Sequence, residues 1–222
     1  MTFTRMSPVS HAQHGLSPKM GDVHGMEVAL TFGAVAQTGR NQQHLGVCDV
    51  SCFARFGIKG PGAQAWLVAL GVEIPGAANS WAQQANGALV LRLGNSEFLV
   101  EDQPGSQLCQ VLQAADASGS GLYQVPRYDA ALILSGREVQ NLLSELCTLD
   151  LSAKGLAQQA LLMTQVAGIS ATVLRQNLNG EEIYRLWCDG TYGPYLWETV
   201  LQIAEELGGG AVGLSAHFKD VL

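Results

Sequence analysis

The chain has 222 residues, enough for one large domain or two small ones, and 47% are hydrophobic against only 14% charged, a balance that excludes a disordered chain and leaves surface for a partner to cover. Twelve basic residues against nineteen acidic ones give a formal charge of -7. That charge argues against non-specific nucleic-acid binding and against docking on an anionic membrane, and no run of about eighteen apolar residues offers a membrane span.

The opening, MTFTRMSPVSHAQHGLSPKM, lacks the continuous apolar stretch of a secretory signal, so a cytoplasmic address is expected. Residues 1–44 are rich in Gly, His, Gln and Ser, and offer one alternating segment, Val28 to Phe32, as a strand. They are expected to dock on a core formed by 45–222. His11, His14, His24 and His44 stand in polar surroundings without a partner motif and read as solvated side chains. From Leu45, LGVCDVSCFARFGIKG alternates small or apolar residues with polar ones up to Gly60-Pro61, and GAQAWLVALG has helical spacing closed by Gly71. That reads as strand, turn, helix.

Five cysteines at 48, 52, 109, 147 and 188 are too scattered for a disulfide framework and read as buried thiols. Cys48 and Cys52 have metal-ligand spacing for a helix, but no second Cys or His pair completes a tetrahedral site, so no metal is expected.

A hairpin follows, ALVLRL and EFLVE joined at Gly94-Asn95-Ser96, then a helix at CQVLQAA and a Ser/Gly loop around Gly119 to Gly121. AALILSGREVQNLLSEL again reads strand, turn, helix. Laid on FARFGIKGPGAQAWLVAL it places Gly60 over Gly136, Ala63 over Val139, Trp66 over Leu142 and Leu67 over Leu143, at a constant offset of 76 residues. Each copy is followed by a hairpin, the second being ISATVLRQ and EIYRLWC joined around Asn179-Gly180. Two βα/hairpin units, about 45–118 and 122–222, are therefore expected to share one sheet system with a cavity near their pseudo-twofold axis. The last helix, PYLWETVLQIAEELGGG, opens at Pro194, carries Leu196, Val200, Ile203 and Leu207 on one face, and stops at a glycine run. Trp197 reads as core.

These residues resemble a known family. GVCDVSCFARFGIKGPGAQAWL is similar to the glycine-cleavage T-protein stretch that runs Gly-Val-x-Asp-Val-Ser, a strand, Gly-Pro-x-Ala and a Leu-rich helix. VLRQNLNGEE resembles its Arg-Thr-Gly-Tyr-Thr-Gly-Glu motif, with Arg175, Leu178, Gly180 and Glu181 in the places of Arg, Tyr, Gly and the final Glu. VGLSAHFKDVL resembles its Gly-Leu-x-Ala-Arg-Asp segment, with His217-Phe218 in place of Arg-Asp. The resemblance implies an α+β, T-protein-like folate-binding domain. It also implies tetrahydrofolate as cofactor and, through the short-form γ subunit of heterotetrameric sarcosine oxidase, partners among the subunits of a flavin-dependent oxidase or dehydrogenase.

Departures bear on activity. Where the family carries an acidic pair before the first hairpin, this chain aligns Asn86-Gly87, and where an asparagine closes that hairpin it has Asp102-Gln103. No catalytic residue is assigned. On this alignment the additional C-terminal region of full T proteins is expected to be missing. Glu181, Arg175, Asp102 and Gln103 are the candidate cofactor-binding residues. Glu181 either accepts two parallel hydrogen bonds from an amino-pyrimidine edge or is a solvated residue at a hairpin shoulder. Arg175 pairs with Glu181 or a ligand carboxylate, or forms a surface cross-strand ion pair. Asp49 is read as satisfying local backbone N–H groups. The function expected is a non-catalytic or weakly ligand-binding subunit of a folate-linked complex that oxidises an N-methyl amino acid; the alternative is a stand-alone tetrahydrofolate-dependent aminomethyltransferase of one-carbon metabolism.

Overall fold

A computed structural model describes residues 5–119 and 121–219. In chain order the elements are β1 (Arg5–Met6), α1 (Ser10–Gln13), β2 (Lys19–Val23), β3 (Met26–Thr31), α2 (Val35–His44), β4 (Gly46–Asp49), β5 (Arg55–Lys59), α3 (Ala63–Ala69), β6 (Ser80–Gln83), β7 (Leu89–Arg92), β8 (Glu97–Glu101), α4 (Leu108–Ala114) and β9 (Tyr123–Val125). The second half follows with β10 (Ala130–Ser135), α5 (Val139–Leu146), β11 (Leu161–Val166), β12 (Ile169–Leu178), β13 (Glu181–Cys188), α6 (Gly193–Glu206) and β14 (Gly210–Ala211). The architecture is α+β. No helix among the described residues is long and apolar enough to cross a membrane.

The chain divides into two compact units. The first comprises the chain up to Cys52, residues 129–158 and everything from 162 on; the second comprises 53–128 with 159–161. Instead of one shared sheet system, each repeat has its own sheet. That of the first unit has six strands in the order β11-β12-β13-β10-β4-β14, and that of the second has five, β6-β7-β8-β5-β9. A separate three-stranded sheet, β1-β3-β2, belongs to the first unit.

The two orders make the internal repeat explicit. Strand, helix, edge strand and hairpin recur as β5-α3-β6-β7-β8 and β10-α5-β11-β12-β13, with corresponding places in their sheets. Gly60 and Gly136, aligned in the sequence, hold φ of 119° and 102°, which an L side chain rarely adopts. The leading strands are exchanged, however. β4, which precedes β5, pairs antiparallel with β10, while β9, which precedes β10, pairs antiparallel with β5. Their registers correspond too: Ser135 faces Gly46 as Lys59 faces Tyr123. The apparent single strand at LGVCDVSCFARFGIKG is thus two strands in different sheets, parted by the turn at Val50–Ala54, and Cys48 lies on a strand rather than a helix.

In the second unit Phe56, Ile58, Leu67, Val90, Phe98, Val100 and Leu112 form the core, with Trp66 stacked on Phe56 at 5.9 Å between ring centroids. In the first unit the α6 stripe that is buried is Leu196, Trp197, Val200, Leu201 and Ala204; Ile203 is only partly covered. Each such large side chain contributes about 1.5–3 kcal/mol by leaving water. The hairpin of β12 and β13 closes on a two-residue loop, Asn179-Gly180, both at positive φ (54° and 87°), after the pair Leu178–Glu181. That conformation matches the strand twist, which is why Asn-Gly specifies it.

Candidate functional site

The hairpin turn sets Glu181 at the start of β13, on the surface, where Gln42 Nε2 donates to its Oε2 at 3.0 Å. Arg175 does not reach it. The Arg175 guanidinium instead pairs across the strands with Glu182, Nη1 to Oε2 at 2.6 Å, one partner 14% and the other 53% exposed. Screening by water limits such a half-exposed pair to about 1 kcal/mol.

Glu181 and Glu182 line a recess of about 400 Å³ with Gln42 and Gln43 from the end of α2, Gly136 and Arg137 from the turn after β10, Val139 and Gln140 from α5, and Tyr184 from β13. Tyr184 is nearly fully buried; it accepts from Gln140 and donates from its hydroxyl to Leu151 O at 2.8 Å. Burial, opposed by the Gln140 contact and reinforced by the Glu182 charge, raises its phenol above the usual range. The hydroxyl therefore keeps its proton at neutral pH and serves as a fixed donor.

Asp102 and Gln103 lie in the second unit, away from these groups in the sequence and committed locally. Asp102 Oδ1 accepts from Ser106 Oγ at 2.6 Å and Leu108 N at 2.9 Å, and Oδ2 from Cys109 N at 3.1 Å, so the carboxylate caps the start of α4. Gln103 Nε2 donates to Glu101 Oε1 at 3.1 Å. Glu101, directly opposite Arg55 in the ladder, takes Arg55 Nε on its other oxygen at 2.7 Å, with both side chains buried. Asn86 and Gly87 form the tip of the β6–β7 hairpin, where Asn86 Oδ1 accepts from Ala88 N at 3.1 Å. Asp49 is buried and accepts from Ser51 N at 2.9 Å, as its sequence context suggests, and also from Ser7 Oγ at 2.5 Å.

Three buried polar groups of the first unit are not among the candidate binding residues read from the sequence. Arg185, fully buried on β13 between Leu174 and Ile133, donates from Nε to Gln176 Oε1 at 2.7 Å. His217 is buried as well, and burial first, then the Arg185 charge, push its imidazole down to about 4. Arg185 carries one legible sign, a lone cation inside the apolar run IYRLWC. The burial of Gln176 has no such sign, because its neighbours in sequence, Arg175 and Asn177, are polar, and that of His217 has only the single large apolar neighbour Phe218. Among the described residues no group of three His, Cys, Asp or Glu side chains is arranged to hold a metal ion.

The profile of the GCVT N-terminal domain matches residues 9–219. The chain belongs to this family. Aminomethyltransferase of Thermotoga petrophila is 22% identical over 96% of this chain and 62% of its own length. Among solved structures, glycine cleavage system aminomethyltransferase T of Bartonella henselae superposes with a TM-score of 0.73 at 18% identity, over 97% of this chain and 61% of the other. A chain of the heterotetrameric sarcosine oxidase of Corynebacterium sp. U-96, solved with pyrrole 2-carboxylate, superposes with a TM-score of 0.68 at 20% identity, over 94% and 98%. The chain thus spans about three-fifths of the aminomethyltransferases it matches. The superpositions show the fold, the T-protein folate-binding architecture.

Proposed function

We propose that the protein is a non-catalytic subunit of a flavin-dependent complex that oxidises an N-methyl amino acid and passes the carbon to tetrahydrofolate. The observation that carries this reading is the state of the acids at the first hairpin. Asp102 spends both oxygens on the start of α4, Glu101 spends both on Arg55 and Gln103, and the aligned family pair is replaced by a turn, Asn86-Gly87. General-base catalysis needs a carboxylate within hydrogen-bond reach of the transferring proton and free to take it. Likeness to a chain of a heterotetrameric oxidase supports a role in an assembly.

Of the four residues that the family resemblance marks for folate, Asp102, Gln103 and Arg175 are engaged with neighbours of their own, and Glu181, on the surface, has one oxygen without a described hydrogen bond. That residual capacity favours a second reading, a stand-alone tetrahydrofolate-dependent aminomethyltransferase in which Glu181 holds the amino-pyrimidine edge. The test is isolation of the tagged full chain from its own host. Co-purification of flavoprotein subunits with N-methylglycine-oxidising activity supports the first reading; a flavin-free chain sinks it. Calorimetric titration of that chain with 5-formyltetrahydrofolate, repeated on Glu181→Ala, decides the second: micromolar binding lost in the variant supports it, and heat equal to dilution removes it.

A further inference from the structure

The recess beside Glu181 has a use that neither reading covers. Its frame is set by backbone. Arg137 N donates to Gln43 O at 3.2 Å and Glu138 N to His44 O at 3.0 Å, so the end of α2 and the start of α5 satisfy one another directly. Gly136 sits in that clamp at φ 102°, where an added Cβ would fall 2.5 Å from the His44 carbonyl. The walls are thereby placed before any ligand arrives, which lowers the ordering cost of binding.

With the helix-end groups spent on each other, recognition falls to side chains, and most of these are also committed. Tyr184 is tied to Leu151 and Gln140, and Glu182 to Arg175. Glu182 keeps its second oxygen, but its charge is already balanced by Arg175, which leaves two charged lining groups of opposite sign, Glu181 and Arg137, without a close ion-pair partner. Glu181 uses one oxygen for Gln42. Arg137, its side chain 74% exposed, makes only a long contact of 3.6 Å to its neighbour Glu138. They come from different elements, β13 and the turn before α5, yet line one recess of about 400 Å³ together with the amides of Gln43 and Gln140. That volume lies toward the lower end of the range, about 300–1,000 Å³, typical of small-molecule sites.

A simple anion placed there meets the Glu181 carboxylate, and a simple cation meets the Arg137 guanidinium. A small molecule bearing an ammonium and a carboxylate on one carbon offers each of them its complement. We propose that this recess binds a free α-amino acid, its ammonium on Glu181 and its carboxylate on Arg137, with the Gln43 amide left to a polar side chain. The inference goes beyond the subunit reading, since it needs neither folate nor a partner chain.

Amide NMR of the isotope-labelled full chain tests it, with glycine as the probe and methylammonium and acetate as its two halves. Glycine should give saturable shifts at residues 136–140 and 181–182 in the millimolar range. Glu181→Gln and Arg137→Gln should each weaken that response about tenfold while leaving the rest of the spectrum superposable, and neither half-ligand should saturate in the same range. Absence of saturable shifts, shifts unchanged in both variants, or an equal response to methylammonium alone would overturn the proposal. Because isolation of flavoprotein subunits and folate calorimetry read other events, either functional reading can fail while this one stands, and the reverse.

Discussion

Replacing His217 by leucine should remove a defined part of the protein's acid sensitivity. The imidazole is buried, and desolvation together with the nearby Arg185 guanidinium hold it at about 4 against an ordinary value of 6.5. A fall of about 2.5 pH units, at 1.36 kcal/mol per unit, corresponds to about 3.4 kcal/mol. The sign follows from which state takes the proton first. As pH falls below 6.5 the unfolded chain protonates this histidine while the folded chain keeps it neutral, so the contribution is complete above 6.5 and drains away towards pH 4. By pH 5 about 2 kcal/mol of it should be gone.

Urea unfolding of the parent and of His217→Leu, each at pH 7 and at pH 5, reads the effect as a difference of differences, in which the titration of other groups cancels. The parent should lose about 2 kcal/mol more than the variant between the two pH values. A gap between the two proteins that is the same at pH 7 and pH 5 would refute the reasoning, because it would mean that His217 titrates normally in the folded chain.

The buried pair Arg55–Glu101 should cost about 3–5 kcal/mol when only Glu101 is replaced by glutamine, and much less in the double variant Arg55→Met/Glu101→Leu, as read by denaturant unfolding. Asp102→Ala should destabilise by about 1–2 kcal/mol through the loss of the α4 cap, with Asp102→Asn recovering part of it; equal stability of all three would show that the cap contributes nothing. The five cysteines, all buried, should resist alkylation in the folded chain at pH 8 and react once it is denatured. Burial raises the Cys48 and Cys109 thiols and pushes Cys188 up to about 12, so rapid native-state labelling at any of these three would contradict the packing.

Much of the fold is legible in the sequence where one local rule acts alone. Asn179-Gly180 fixes its hairpin because the turn demands two positive φ values, and α6 is visible because Pro194 and Gly208 bracket an apolar stripe. The helix α2 is not legible. Among its residues of described burial, from Gln37 on, the buried positions are Thr38, bonded to Phe32 O, and Asn41, both polar, and that stretch leaves no apolar period to detect. The break between β4 and β5 is hidden for the opposite reason: both strands are buried and share one continuous apolar pattern, although they pair in different sheets.

The candidate site divides in the same way. That Glu181 stands just past a tight turn can be read from the chain. Its contact with Gln42 cannot, because the partner lies 139 residues away on a helix with no sequence signal. Asp102 is legible as an acid at the end of an apolar strand; its hydrogen bonds to Leu108 N and Cys109 N depend on a helix start six residues further on, which the pattern places only approximately.

The exchanged strands bear on how this chain must assemble as it leaves the ribosome. The five-stranded sheet lacks its β9 edge until Val125 has been made, by which time synthesis has passed the whole of the first repeat. Strand β4, among the earlier segments to emerge, waits for β10 more than eighty residues later. Its sequence, Gly46–Asp49, is entirely buried in the finished fold and is exposed to other partners throughout that interval. Neither sheet can close within its own repeat, so slow translation or a shortage of holding chaperones should harm this protein more than a chain of equal length built from two self-contained halves.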